Sequence, residues 1–169
     1  MKDTLVYNGW LKLYHREIDG KLYDIVKNYD AVSAAIINEF NEILLVKQFR
    51  PSIMEYTLEI PAGCLDISGE SIENCLIREI KEETTLDISM DSLEKIVSYK
   101  PMMGFSGSIM HLFKASAKKS SLKKNIVDDT DVTEVMWIPF NEFEEKIKEG
   151  VISDSKTIMS YYYLLSVKC

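Results

Sequence analysis

The amino-acid sequence predicts an α/β (α+β) fold, in which a mixed β-sheet packs with a central helix and C-terminal helices. Short β-branched and aromatic runs separated by turn residues predict the strands. One long segment without Gly or Pro predicts the central helix, and two further helical segments close the chain. The chain has 169 residues, 46% of them hydrophobic, and no internal repeat. We therefore expect a single domain, residues 1–169, with a substantial core.

The strands follow from turn residues between apolar runs. Asp19-Gly20 separates two strand-like runs in the first thirty residues, which predicts an N-terminal antiparallel strand pair. AVSAAII and ILLVKQF flank the polar turn EFNE and predict a second hairpin. MEYTLEIPAG predicts a strand that breaks into a loop at residues 61–63. Further strands are expected in LEKIVSYKP, SIMHLFKASA and VTEVMWIPF, with a charged loop at residues 118–131.

Three segments predict helices. Residues 71–85 form the strongest candidate. NEFEEKIKEG ends at Gly150, a favourable residue for a helix C-terminus. TIMSYYYLLSV follows Asp154 and Ser155, either of which can cap its first turn.

Charge and cysteine content exclude several classes of protein. Twenty Lys and Arg against 27 Asp and Glu give a net charge of -7, which disfavours binding to nucleic acid or to anionic membranes. Three widely spaced cysteines without a CxxC pair indicate free thiols in a reducing compartment. The N-terminus lacks the apolar segment of a signal peptide, and no run is long enough to span a bilayer. We therefore expect a cytoplasmic, soluble protein.

The helix at residues 71–85 carries an unusual acidic stripe. On a helical wheel, Glu79, Glu82 and Glu83 continue the apolar stripe of Leu76 and Ile80 instead of the polar face. One interpretation is a solvated helix flank, whose carboxylates pair with nearby basic residues. The other is a metal site, because carboxylates along a buried stripe repel one another unless a cation neutralises them. Oxygen ligands of this kind suit Mg²⁺ or Mn²⁺, and the pattern favours this second interpretation.

Residues 63–86 resemble the Nudix box, GX5EX7REUXEEXGU, in which U is aliphatic. REIKEE matches at every specified position, and seven residues separate Glu70 from Arg78. Two departures stand out: six residues lie between Gly63 and Glu70, and Thr85 replaces the final glycine. Flanking segments are similar to the ADP-ribose pyrophosphatase branch of the family, namely VKQFRP, LEIPAG, PMMGFS, DDTDVTEVMWIP and DSKTIMSYYYLL.

The resemblance implies the Nudix fold, a mixed sheet sandwiched between helices. It also implies Mg²⁺-dependent hydrolysis of a small-molecule nucleotide, such as ADP-ribose to AMP and ribose 5-phosphate. The metal ligands would be the side chains of Glu79, Glu82 and Glu83 and the carbonyl of Ala62, with Glu82 and Glu83 also catalytic.

The resemblance also implies roles for three further charged residues, each with an alternative. Arg50 would grip a substrate phosphate, with a surface salt bridge as the alternative. Glu59 would lie near the substrate, or would be a charge at a strand edge. Asp131 aligns with the general base, with Asp128 and Asp129 as neighbours; the alternative is a solvated loop charge.

Aromatic residues complete the predicted site. Trp10 and Phe105 are candidates to stack on adenine, although core packing is the favoured alternative for Trp10. By analogy with the family, the N-terminal strands are expected to contact a second subunit in a homodimer.

Two alternatives stay open for the function. The alternatives to hydrolysis of ADP-ribose are a Nudix hydrolase of a different nucleotide and a Nudix-like domain that senses a nucleotide without cleaving it. The intact REIKEE sequence disfavours the sensor, because a sensor has no need of every metal carboxylate.

Overall fold

The computed structural model describes residues 2–123 and 131–167. These residues form ten strands: β1 Lys2–Asn8, β2 Lys12–Ile18, β3 Lys21–Lys27, β4 Ala31–Ile37, β5 Glu42–Arg50, β6 Glu55–Glu59, β7 Ala62–Cys64, β8 Glu94–Tyr99, β9 Met110–Ser116 and β10 Val132–Pro139. They also form three α-helices: α1 Ile72–Thr84, α2 Phe140–Lys148 and α3 Ser155–Ser166. None of the helices in these residues is long and apolar enough to cross a membrane.

The N-terminal residues form a separate antiparallel sheet in the order β1-β2-β3. Asp19 and Gly20 both have positive φ angles, 52° and 77°, which is typical of the two-residue turn that joins β2 and β3. The predicted strand pair is thus present, and β1 adds a third strand that the sequence prediction missed. It was missed because the run from residue 6 to residue 18 looked continuous, whereas the chain bends at residues 9–11.

The main sheet has the order β10-β5-β4-β9-β8 and is mixed, because β4 and β9 are parallel while the other pairs are antiparallel. Strands β4 and β5 pair at Ile37 and Ile43, and β6 and β7 then occupy the space between them. The predicted loop at residues 61–63 is therefore wrong. Strand β6 ends at Glu59, two residues before Pro61, but Ala62 pairs with Ser33 and begins β7. Ser33 lies too far along the chain for local sequence to indicate this pairing.

Helices cover both faces of the sheet, as the sandwich prediction required. On one face Leu76 and Ile80 of α1 pack against β4 residues that include Val32. On the other face, Phe143 of α2 and Leu164 of α3 pack against residues that include Leu45. Alternate residues of each central strand therefore point to different cores.

The ends of α2 and α3 match the predicted capping residues, whereas the cap of α1 was not predicted. Ser71 caps α1 by accepting a hydrogen bond from the Asn74 N–H at 3.2 Å. Gly150, with φ 76°, follows α2. Asp154, rather than Ser155, caps α3 by accepting from the Thr157 N–H at 3.0 Å. Cys64 and Cys75 are free thiols, as predicted; Cys169 lies outside the described residues.

Candidate active site

The acidic helix α1 turns its glutamates inward to different degrees. Glu83 is 3% exposed, and the side chains of Glu79 and Glu82 are 13% and 44% exposed. Lys81, on the opposite face, keeps 64% of its side chain exposed. The wheel prediction is confirmed for Glu79 and Glu83, whereas Glu82 lies at the margin of the stripe.

The β7 backbone meets two of these carboxylates. Glu83 Oε2 accepts a hydrogen bond from the Ala62 N–H at 3.0 Å. The carboxyl group of Glu79 lies so close to Gly63 that a Cβ atom on this residue would overlap it. A side chain at position 63 would therefore force the Glu79 carboxyl group out of this position. Burial raises the pKa of Glu79, the charges of Glu82 and Asp66 raise it further, and Arg78 opposes them.

Arg78 of α1 donates hydrogen bonds to three glutamates. Its Nε and Nη2 atoms donate to the two Glu70 oxygens at 3.1 and 3.0 Å. Its Nη1 atom donates to Glu79 at 2.8 Å and to Glu82 at 3.2 Å. The extra residue between Gly63 and Glu70 does not prevent the Glu70–Arg78 contact. A turn that brings the Glu70 N–H to 3.2 Å from the Ile67 carbonyl oxygen accommodates it.

A second ionic group lies at the ends of β5 and β6. Arg50 Nε and Nη2 donate to the two Glu59 oxygens at 2.7 and 2.5 Å. Thr57 Oγ1 donates to Glu59 Oε1 at 2.7 Å, and Lys156 Nζ donates to Glu59 Oε2. Burial by itself raises the pKa of Glu59, but the bonds from Arg50, Lys156 and Thr57 outweigh it and lower the pKa to about 2.

Arg50 connects this group to the acidic helix. It lies on the same sheet face as Leu44, which packs under α1, because the two are an even number of residues apart on β5. Its pKa is raised chiefly by the bonds to Glu59, and the negative charges of Asp154 and Glu83 add to the effect. Arg50 is thus held in a salt bridge with Glu59. The alternative interpretation expected a salt bridge at the surface, but Glu59 is buried. Glu59 is 2% exposed and is not a charge at an open strand edge.

Asp131 begins the segment that leads into β10. The Phe49 N–H donates to the Asp131 carbonyl oxygen at 3.4 Å, so Asp131 adjoins the end of β5 that carries Arg50. The residue is exposed. Asp128 and Asp129 lie outside the described residues. The structure brings Asp131 to the same strand end as Arg50, and its role as base stays a prediction.

Trp10 and Phe105 lie around the N-terminal sheet. Trp10 is 64% exposed, and its ring centroid is 5.1 Å from that of Tyr29. Core packing is therefore wrong for Trp10 within this chain. The Phe105 carbonyl oxygen accepts from the Val26 N–H at 2.8 Å, and its ring lines a cleft of about 340 Å³ with Arg16. Among the described residues, the ring contact of Trp10 and the backbone hydrogen bonds of Phe105 do not reach the carboxylates of α1.

The donors around α1 fit a hard divalent cation in their chemistry. Glu79, Glu82 and Glu83 supply carboxylate oxygens, and Gly63 keeps the space beside Glu79 open. Within residues 2–123 and 131–167, however, no three His, Cys, Asp or Glu side chains are arranged as a metal cage. Arg78 engages one oxygen each of Glu79 and Glu82 in this arrangement.

Sequence reasoning missed the part that Gly63 and Lys156 play in the site. Lys156 is 5% exposed, although its segment was interpreted only as a helix start. Its position relative to Ser160 and Leu164, four and eight residues later, was the available signal, because both of these lie on the buried face of α3.

Comparison with known proteins gives consistent matches. A model of the NUDIX domain matches residues 27–161. The chain is 33% identical over 143 residues to the methanol dehydrogenase activator of Bacillus methanolicus, an alignment covering 83% of this chain and 75% of the relative. It is 31% identical over 141 residues to the ADP-ribose pyrophosphatase of Bacillus subtilis (strain 168), with the same shares covered. It is 31% identical over 183 residues to the GDP-mannose pyrophosphatase of Yersinia enterocolitica, covering 96% of this chain and 92% of the relative.

Proposed function

The chain belongs to the Nudix family, and we propose that it hydrolyses the pyrophosphate bond of a nucleoside diphosphate-sugar. ADP-ribose, yielding AMP and ribose 5-phosphate, is the first substrate to test. The observation that carries this proposal is that Glu79 and Glu83 lie against the backbone of Ala62 and Gly63, while Arg78 donates to Glu79 and Glu82. Two relatives named as pyrophosphatases of ADP-ribose and GDP-mannose support the substrate class.

Hydrolysis needs a water molecule aligned with one phosphorus, offset of the phosphate charge and a proton acceptor. Glu79, Glu82, Glu83 and the Ala62 carbonyl would hold Mg²⁺ or Mn²⁺, which when bound supplies the positive charge that this acidic protein lacks. Arg50 would bind a phosphate oxygen through the part of its guanidinium that Glu59 does not cover. Asp131 would accept the proton of the attacking water as the bridging P–O bond breaks.

The N-terminal sheet supports a homodimer and an aromatic contact to the base. Exposed apolar side chains cluster there, among them Leu5, Val6, Tyr7, Trp10 and Leu22. Monomeric proteins rarely leave large contiguous apolar patches open, so a second subunit is a reasonable partner for this sheet. Stacking of adenine on Trp10 or Phe105, the cytoplasmic location and the single domain over residues 1–169 stay predictions.

A second candidate is a Nudix hydrolase of another nucleotide. The relatives favour it, because their names differ in both base and sugar. A domain that senses a nucleotide without cleaving it is a third outcome of the same experiment.

The test is a panel of ADP-ribose, GDP-mannose and UDP-glucose, incubated with Mg²⁺ or with EDTA, with products identified by chromatography. We expect cleavage of at least one compound in Mg²⁺ and none in EDTA. Glu83→Gln should reduce turnover roughly 100-fold, because it removes a charge that is buried beside β7. Glu73→Gln, on the same helix, is the matched control and should keep turnover within about twofold. Binding without cleavage by the wild type would favour the sensor, and full activity of Glu83→Gln would refute the metal site.

A further inference from the structure

A ring of polar contacts joins the start of α3 to the end of β6. Lys156 Nζ contacts Glu59 Oε2 and lies 3.1 Å from Asp154 Oδ2. Thr157 Oγ1 donates to the same Asp154 oxygen at 2.6 Å and accepts from the Ile60 N–H at 3.0 Å. Because Ile60 directly follows Glu59 in the chain, these contacts form a closed ring.

The ring places one carboxylate between two cations. Glu59 is shared by Arg50 on one side and Lys156 on the other. Arg50 and Glu59 alone would form a neutral pair, whereas the trio with Lys156 carries one positive charge. Asp154 brings the formal charge of the four groups to zero, but its carboxylate contacts Lys156 at 3.1 Å and acts on Arg50 only through its charge.

The members of the trio differ in their access to solvent. The side chains of Glu59 and Lys156 are 3% and 7% exposed, whereas that of Arg50 is 41% exposed. A ligand from solvent therefore meets the trio at Arg50. The positive charge of Lys156 is buried. It raises the electrostatic potential at the accessible guanidinium of Arg50, because screening by water is weak in the interior.

We infer that Lys156 is a positioning residue that shares the carboxylate of Glu59 and so leaves the positive charge of Arg50 available to the phosphates of the substrate. This role rests on the proposed function, in which Arg50 meets a diphosphate. Lys156 itself touches no reacting atom. Its effect should therefore appear in substrate binding more than in the chemical step.

The ring also supports the fold, so the experiment has to separate charge from support. Lys156→Met removes the charge with a side chain of similar length. Lys156→Met combined with Glu59→Gln removes both members of the buried pair and restores the balance of charge around Arg50. Lys148→Met is the matched control, because Lys148 pairs with Glu144 on the exposed side of α2 and its loss changes the net charge equally.

Steady-state kinetics with ADP-ribose and Mg²⁺ give the decisive readout. We expect the KM of Lys156→Met to rise roughly tenfold with kcat changed less than about twofold. The double variant should return the KM to near the wild-type value, and Lys148→Met should match the wild type. A merely structural role would lower kcat together with binding, because a distorted site loses turnover as well as affinity.

Three results would overturn the role of Lys156: an unchanged KM in Lys156→Met, a double variant without recovery, or failure of both variants to fold. Should only Lys156→Met fail to fold, the KM of the double variant decides, and a tenfold rise there refutes the inference. The wild type separates this inference from the function on which it rests. Absence of turnover in the wild type defeats the proposed function, whereas turnover with an unchanged KM in Lys156→Met defeats only the role of Lys156.

Discussion

Two arginine–carboxylate pairs in this chain share a hydrogen-bond geometry but lie in different surroundings. In the N-terminal sheet, Arg16 donates through Nε and Nη2 to Asp3 at 2.7 and 2.8 Å. In the main sheet, Arg50 donates through the same atoms to Glu59 at 2.7 and 2.5 Å. The Asp3 side chain is 23% exposed and the Glu59 side chain is 3% exposed.

The carboxyl groups of both pairs have a pKa of about 2, for different reasons. The hydrogen bond from Arg16 lowers the pKa of Asp3 against a smaller effect of burial. For Glu59 burial is the largest influence and acts in the opposite direction, and the bonds and charges of Arg50, Lys156 and Thr57 together overcome it. Water can replace Arg16 as a partner of Asp3, whereas Glu59 without its partners would be a buried, unpaired charge. Asp3 and Glu59 thus have similar pKa values, but we expect their ion pairs to contribute unequally to the free energy of unfolding.

The first prediction separates the two pairs by stability. Glu59→Gln should lower the free energy of unfolding by about 3 kcal/mol, because it leaves Arg50 and buried Lys156 without their shared anion. Asp3→Asn, the matched change in the N-terminal sheet, should have a much smaller effect. Urea unfolding followed by circular dichroism measures both. Equal losses would show that burial does not distinguish the pairs.

The second prediction compares two glycines in the same two regions. A Cβ atom at Gly63 would overlap the carboxyl group of Glu79, and one at Gly9 would overlap the ring of Tyr7. Tyr7 is 62% exposed and can rotate into solvent, whereas Glu79 is confined beneath β7. Gly63→Ala should weaken Mn²⁺ binding 10- to roughly 100-fold, and Gly9→Ala should leave it unchanged.

Electron paramagnetic resonance of free Mn²⁺ measures this affinity without any assay of turnover. Thermal unfolding of both variants serves as the control for folding. Unaltered Mn²⁺ binding in Gly63→Ala would mean that the position of Glu79 over Gly63 has no part in holding a metal.

The third prediction tests the buried pair by pH. The folded-state pKa of Glu59, about 2, lies below its ordinary value of 4.5, so the unfolded chain binds the proton more readily. The stabilisation is complete above pH 4.5 and is lost as the pH falls towards 2. The difference in unfolding free energy between wild type and Glu59→Gln should therefore shrink by about 2 kcal/mol between pH 7 and pH 3. A constant difference over this range would contradict the low pKa.

Sequence alone predicted the elements whose signals are local. The period of α1 located Glu79 and Glu83 on the buried face, and Asp19-Gly20 fixed the turn between β2 and β3. The predicted metal donors Glu79 and Glu83 do lie against Gly63, the first residue of the box, and Ala62, which precedes it.

Long-range pairing accounts for what the sequence could not predict. The pairing of Ala62 with Ser33 converts an expected loop into β7. Lys156 and Glu59 are 97 residues apart, so no local pattern indicates that they share a buried contact. The exposure of Trp10 is equally a matter of what packs around it, and an aromatic residue beside a strand carries no signal for that.

The smallest effect is expected where the chain departs from the family pattern. Thr85 ends α1 with φ 64° and ψ 4°, the left-handed conformation that β-branched residues rarely adopt. Its Oγ1 atom is buried and has no hydrogen-bond partner among the described residues. Asp19 in the N-terminal sheet has a similar φ of 52°, but Asp tolerates this conformation better than Thr.

Thr85→Gly should therefore raise the stability by about 1 kcal/mol, equivalent to a Tm increase of about 2–4 °C for a chain of this size. Asp19→Gly, the matched change in the N-terminal turn, should shift the stability by only a few tenths of a kcal/mol. Differential scanning calorimetry measures both. A lower Tm in Thr85→Gly would show that packing of the threonine side chain stabilises the fold by more than its backbone conformation costs. Threonine in place of the glycine of the box would then be a stabilising substitution.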